Sequence, residues 1–203
     1  MKKLISAIAA FLALGVTAAS AQSLSNLDFS VLGGWSSHPG LSINGGHSPV
    51  DDSYNLGARV GTKLDTMGLS NFSLDADVFF NRGGFAGTTA KVGTVPAGFG
   101  AGARLNSTSF MGDLIYHLPT AAPWSFYGGG GIGVVHDNLD GTLHGSSTVM
   151  GWQGLGGVEY AFTPSTSLFV EYRYQNAHDA NIGSVRGVGN TSSNVSVGVK
   201  FNL

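Results

Sequence analysis

The sequence has no cysteine among its 203 residues. A disulfide framework and a thiolate metal site are therefore both excluded. Charge is scarce as well, because Asp, Glu, Lys and Arg make up only 11% of the chain, about half the usual share. The formal net charge of −2 argues against a nucleic-acid-binding protein, which carries a basic surface.

Long hydrophobic runs are also missing after residue 21. No segment there approaches the ~20 apolar residues that a transmembrane helix needs, although hydrophobic residues make up 42% of the chain. This combination leaves two classes of protein: a soluble β-rich domain, or a transmembrane β-barrel, whose signal in each strand is weak.

The first 21 residues predict a cleaved secretory signal. Lys2 and Lys3 precede an apolar run over residues 4–16, and Ala19-Ser20-Ala21 has the form of a cleavage site. The run is too short to span a bilayer. We expect a signal peptide at 1–21 and one domain at 22–203, whose formal net charge falls from −2 to −4 when the two lysines are lost.

Eight segments alternate apolar and polar residues with the period of two that is typical of a β-strand. The clearest is the last, where Val195, Val197, Val199, Phe201 and Leu203 alternate with polar residues and glycine. The predicted strands are 27–36, 54–64, 71–82, 106–118, 124–135, 148–162, 166–176 and 193–203. Long connections follow the odd-numbered strands and short ones follow the even-numbered strands. This alternation predicts an all-β fold, an eight-stranded antiparallel up-and-down transmembrane β-barrel with turns at one end and loops at the other.

Ten charged residues in these segments lie on the face opposite the large apolar residues: Asp28, Arg59, Lys63, Asp75, Asp77, Asp113, Glu159, Glu171, Arg173 and Lys200. The facing of the glycine-rich fifth segment stays open. The apolar face is too aromatic to fill a small lumen, so we expect it to contact lipid. Its rings concentrate at the strand ends and predict two aromatic girdles. The outer girdle is Trp35, Tyr54, Phe80, Trp152 and Tyr174, and the inner one is Phe72, Tyr116, Tyr160, Phe162 and Phe201.

The opposite face would then line the lumen with small and charged side chains. Buried charges must pair, because an unpaired one costs several kcal/mol. Counting from the short turns, we expect Arg59 to face Asp75 and Asp77, and Lys200 to lie near Glu171. The predicted lumen network consists of Arg59, Asp75, Asp77, Asp113, Glu171, Arg173 and Lys200. Such a network either plugs the barrel or opens a gated narrow ion path when partners exchange.

Five histidines, His38, His47, His136, His144 and His178, lie in the predicted loops. A cluster of imidazoles at one end of a barrel would suit a metal ion or haem. Their spacing matches no tight ligand set, so solvated loop residues are the simpler interpretation. No cofactor and no metal are expected.

Three stretches, Gly156-Gly-Val-Glu-Tyr160, Leu168-Phe-Val-Glu-Tyr-Arg-Tyr174 and Val195-Ser-Val-Gly-Val-Lys-Phe201, resemble the OmpA-like, porin-family outer-membrane barrels of Gram-negative bacteria. The resemblance covers the barrel and no peptidoglycan-binding domain. It implies insertion by the outer-membrane assembly machinery and location in the outer membrane. The predicted charge network of the lumen would then resemble the one inside OmpA. One departure is Leu203, at the place where the family's assembly signal usually has an aromatic residue.

Catalysis is not expected. Outer-membrane lipid A deacylases, which are also small barrels, use a His-x-Ser pair on a late strand, and Arg173 and Gln175 stand at the comparable places here. The nucleophile and its base are therefore both missing.

The sequence predicts a structural barrel that supports the envelope. Four outer loops would interact with outer-membrane lipids, lipopolysaccharide, partner molecules or host surfaces. Two alternatives stay open: a narrow channel for ions or small solutes, and a soluble periplasmic carrier of lipocalin type. The carrier would need the aromatic rings on its inner face.

Overall fold

The computed structural model describes residues 26–37, 41–43, 46–48, 53–84, 104–120, 123–140, 145–182 and 185–203. The predicted signal peptide lies outside this description. So do the side chains of three of the five predicted loop histidines, His38, His47 and His144. Within it, no helix is long and apolar enough to cross a bilayer.

The described residues form ten strands, of which eight are long. The long strands are β1 (Leu27–Ser37), β4 (Ser53–Leu64), β5 (Leu69–Gly84), β6 (Arg104–Leu118), β7 (Trp124–Asp140), β8 (Gly145–Thr163), β9 (Thr166–Ile182) and β10 (Val185–Asn202). Two short strands, β2 (Leu41–Ile43) and β3 (Gly46–Ser48), follow β1.

The long strands form a closed antiparallel barrel. Each pairs with its neighbour in the chain, and β1 pairs with both β4 and β10. Phe29, for example, lies opposite Val60 on one side and Phe201 on the other. The last strand therefore finds its partner in the first, and the predicted fold class is confirmed.

The short connections all lie at one end of the barrel. A 3₁₀ turn at Asp65–Met67 ends at Gly68, whose φ of 74° belongs to the left-handed region that favours glycine. Pro164 and Ser165 make the tight turn between β8 and β9. In barrels of this type the short turns are on the periplasmic side.

The opposite, outer end differs from the sequence prediction. Strands β7 to β10 extend into segments predicted as loops, so that His136 and His178 lie in strands. The segment after β1, also predicted as a loop, forms the β2–β3 hairpin, and β2 pairs with β10 where Ile43 faces Val188. Alternation of apolar and polar residues fades there because a strand needs an apolar face only where it meets lipid or a core.

Side chains alternate between the two faces of the wall as predicted. Val197 is 60% exposed on the outside, whereas its neighbour Ser196 is 2% exposed inside. The fifth long strand, whose facing was open, turns Tyr127 and Val135 inward and Trp124 and Ile132 outward.

The interior is less polar than predicted. Besides small and charged residues it holds apolar side chains in two clusters. These are Leu32, Phe79, Ile115, Tyr127, Leu155 and Phe169 in the first cluster and Met111, Val135 and Ala177 in the second.

Inward-facing glycines make room for the large inward side chains. A Cβ added to Gly57 would lie 2.7 Å from the Phe79 ring, and one added to Gly157 would lie 2.5 Å from the Tyr127 hydroxyl. The pairs that face each other directly across neighbouring strands are Gly57 with Phe79, Gly157 with Tyr127 and Gly198 with Phe169. A narrow eight-stranded lumen accepts one bulky side chain from each of these pairs, which accounts for the glycine at these three positions.

Candidate functional site

Glu171 on β9 is the centre of the lumen charges. It is 1% exposed, and its carboxylate accepts hydrogen bonds from Arg59 at 2.8 and 2.9 Å and from Arg173 at 2.9 Å. The Tyr127 hydroxyl also donates a hydrogen bond to it, at 3.0 Å. One buried carboxylate therefore joins guanidinium groups from β4 and β9 and a phenol from β7.

Arg173 extends the network to a second carboxylate. Its Nη1 lies 2.8 Å from Asp77 Oδ2, and the guanidinium stacks 4.3 Å from the centre of the Phe79 ring. A buried arginine with two carboxylate partners and an aromatic face below it is held in one orientation.

Arg59 also approaches both aspartates of β5, as the hairpin geometry predicts. Asp75 and Asp77 each lie 3.9 Å from its guanidinium nitrogens, and Arg59 pairs directly with Asp77 in the strand register. These contacts are longer than its bonds to Glu171, which is the main partner of Arg59.

Asp113 joins the network through an amide. It is fully buried, and Gln153 Nε2 donates to its two oxygens at 2.7 and 2.9 Å and to Asp77 at 3.2 Å. No Lys or Arg among the described side chains lies within 4.0 Å of it.

Lys200 does not lie near Glu171, and this part of the prediction is wrong. Lys200 forms an ion pair with Glu159 instead, at the short-turn end of the lumen. The reason is the register: Lys200 pairs with Ser167, and Glu171 pairs with Ser196, four residues farther from the turn. Counting residues from a turn missed this offset between neighbouring strands.

A cavity of about 20 Å³ separates the Lys200–Glu159 pair from the central network. Its wall includes Asp28, Arg59, Asp75, His117, Glu159 and Lys200. The volume suits about one water molecule. A buried oxygen of Asp75, which has no hydrogen-bond partner among the described residues, lies in this region.

All ten predicted girdle residues lie on the outward face. Their contacts join members of the same girdle: the rings of Trp152 and Tyr174 lie 5.7 Å apart in the outer set, and those of Phe72 and Tyr116 lie 5.0 Å apart in the inner set. Trp124, whose strand had no predicted facing, adds to the inner set through a 4.8 Å contact with Tyr160.

The histidines show no metal centre in the described part of the chain, where no three potential ligands come together. His136 Nδ1 lies 2.8 Å from the Thr148 hydroxyl on the outward face. His117, the sixth histidine, points into the lumen beside Tyr127 and Ser73.

Three side chains that contact the lumen charges were not predicted from the sequence as part of the network: Phe79, Tyr127 and Gln153. Gln153 and Phe79 lie on the charged face by alternation, and Phe79 and Tyr127 stand opposite inward glycines. A search for large residues paired with glycine across a hairpin would have found both rings, once the register was known.

The comparison with family models gives a direct result. Residues 7–201 match the model described as the outer membrane protein beta-barrel domain. The chain belongs to this family. The predicted resemblance and the location in the outer membrane are thereby confirmed, and a soluble periplasmic carrier is no longer an alternative.

Solved structures of outer-membrane barrels share the fold. Neisserial surface protein A is 22% identical with a TM-score of 0.57, over 86% of this chain and 97% of that one. OprG of Pseudomonas aeruginosa is 16% identical with a TM-score of 0.54, over 88% and 98%. A major outer membrane protein of Thermus thermophilus is 12% identical with a TM-score of 0.54, over 87% and 99%. The comparison with curated protein sequences gives no match.

Proposed function

We propose that this outer-membrane barrel is a structural protein of the envelope whose lumen is closed by its own side chains. The observation that carries the proposal is the position of Glu171, bound by two arginines and a tyrosine from three different strands. The bonds from Arg59 on β4 and Tyr127 on β7 cross part of the lumen and join strands that are not neighbours in the wall. A charge cluster of this kind stabilises the barrel and leaves no continuous aqueous path.

The outer loops and the outward face would then carry the contacts of the protein. We propose that they interact with outer-membrane lipids and lipopolysaccharide and with partner or host surfaces, and that the outer-membrane assembly machinery inserts the barrel. The support is the outward apolar coat, in which Trp35 is 63% exposed and Leu56 is 62% exposed. Side chains of this kind are stable only in contact with lipid or another apolar partner.

A narrow ion path is the second candidate, and the imbalance of lumen charge favours it. The central network holds four carboxylates, those of Asp75, Asp77, Asp113 and Glu171, and two guanidinium groups. Excess acidic charge attracts cations, as rings of Asp and Glu do in cation channels. In this mechanism, Arg59 exchanges Glu171 for Asp75 and opens a path past the small cavity.

A deletion strain of the native bacterium separates the two candidates. The structural function predicts greater sensitivity to detergent and to large antibiotics, with unchanged uptake of small ions and solutes. Complementation with the wild-type gene should restore resistance. Normal resistance combined with slower uptake of small solutes would contradict the structural function and support the channel.

A further inference from the structure

Arg82 on β5 differs from the other strand cations whose side chains are described, because its side chain faces outward and theirs face the lumen. It pairs with Tyr54 across the β4–β5 hairpin and follows the buried, inward-facing Asn81, so it lies on the outward face. Its Nη1 donates a hydrogen bond to the Tyr54 hydroxyl at 3.4 Å. Among the strand side chains that the structure describes, no other Lys, Arg, Asp or Glu has this outward register.

Among the described residues, Arg82 has no acidic partner. The inward cations Arg59, Arg173 and Lys200 each form an ion pair with a carboxylate, whereas no described carboxylate lies within 4.0 Å of Arg82. A guanidinium carries five N–H donors, and its hydrogen bond to the Tyr54 hydroxyl engages one of them.

The row of side chains that includes Arg82 has the composition that is typical of the outer interface of a bilayer. Trp35 pairs with Tyr54, and Tyr54 pairs with Arg82, so all three side chains lie side by side on the outward face. Exposed Trp and Tyr are typical of the headgroup level. An arginine costs about 2–4 kcal/mol on the lipid face at the bilayer midplane but about 0–1 kcal/mol at the interface.

We propose that Arg82, together with the Tyr54 hydroxyl, binds a phosphate group on an outer-leaflet lipid, namely the phosphorylated lipid A of lipopolysaccharide. The planar fork of a guanidinium donates two parallel hydrogen bonds to phosphate oxygens. The phenol beside it fixes the side chain at the level of the headgroups. This inference rests on the proposed contact between the outward face and lipopolysaccharide, and it assigns that contact to a residue.

Retention of lipid A by the folded full-length protein tests the site. The protein in detergent micelles is mixed with bisphosphorylated lipid A or with the same lipid after removal of its phosphates, and bound lipid is counted by native mass spectrometry. The wild type is expected to prefer the phosphorylated lipid. Arg82→Gln should bind that lipid about five-fold more weakly, since one cation near an anionic surface contributes about this factor, and should bind the dephosphorylated lipid unchanged.

Lys63→Gln is the matched control, because it removes an exposed cation at the short-turn end of the neighbouring strand β4. It should leave retention of both lipids unchanged. An Arg82→Gln variant with unaltered retention, or with equal loss for both lipids, would overturn the proposal. Preference for inorganic phosphate in solution over lipid A would overturn the assignment to a lipid headgroup.

If Arg82→Gln does not fold, the same retention measurement on Arg82→Lys tests the site. The ammonium keeps the charge and loses the planar fork, so about two-fold weaker retention of phosphorylated lipid supports the site, and unchanged retention overturns it. The deletion-strain experiment does not depend on lipid phosphate, so the structural function and the Arg82 site can fail separately.

Discussion

Glu171 shows how one buried carboxylate can organise a lumen. Two guanidinium groups and one hydroxyl point at its oxygens at 2.8 to 3.0 Å, and it is 1% exposed. Removing the carboxylate would leave Arg59 and Arg173 buried with fewer compensating charges. Removing one partner of a buried ion pair costs far more stability than replacing both partners by apolar residues, because the remaining charge is left buried without compensation.

Glu171→Gln is therefore expected to lower the free energy of unfolding by about 3–5 kcal/mol. Urea unfolding of the refolded protein in lipid vesicles, followed by tryptophan fluorescence, measures the change. Glu159→Gln removes a carboxylate of the same type from the partly exposed Lys200 pair at the lumen end. This control should cost much less, and equal losses in both variants would contradict the central role of Glu171.

At the scale of the strand, the hairpin register decides which side chains meet. Alternation predicted the two faces of β9 and β10 from the sequence, because Glu171, Arg173 and Lys200 occupy positions that alternate with the outward apolar residues. The offset that separates Lys200 from Glu171 was not predictable in the same way. It depends on backbone pairing across β9 and β10, which places Lys200 opposite Ser167, and a sequence shows alternation without showing stagger.

The outer ends of the strands were missed for a related reason. Strand β9 continues to Ile182 and β7 continues to Asp140, beyond the ends that alternation predicted. Hydrogen bonds to neighbouring strands hold these segments, and such bonds leave little trace in the side-chain pattern. The charged residues of the lumen were predictable because lipid excludes them from the other face.

On β10, the inward Gly198 faces the aromatic ring of Phe169 on β9. Gly198→Ala would place a Cβ against the Phe169 ring, and the backbone of Val31 on the other side blocks a shift. We expect a loss of about 1–3 kcal/mol in the free energy of unfolding from overpacking. Gly154→Ala, on the outward face with no atom within 4 Å of its new Cβ, should be nearly neutral. A similar loss in both variants would show that these strands require glycine for its backbone conformation and not for space in the lumen.

The barrel as a whole has an apolar outer coat and carries most of its charged side chains inside. Val197 and Ile132 are more than half exposed to the outside, whereas Glu171, Arg173 and Asp113 are at most 1% exposed within. This inversion of the usual globular pattern suits a protein whose surroundings are lipid. The family, the fold and the location in the outer membrane followed from sequence alternation and short motifs, whereas the function of the lumen depends on contacts between strands distant in the chain.

Closure of the lumen is the central claim, and planar-bilayer recording of the purified, refolded protein tests it most directly. The wild type should give no current steps above background at any holding potential, and Arg82→Gln, which leaves the lumen intact, should behave in the same way. Arg59→Ala removes one guanidinium from Glu171 and Asp77, and any current that appears in this variant alone would mark Arg59 as part of the plug. Discrete, reproducible current steps from the wild-type protein would contradict a lumen closed by its own charges.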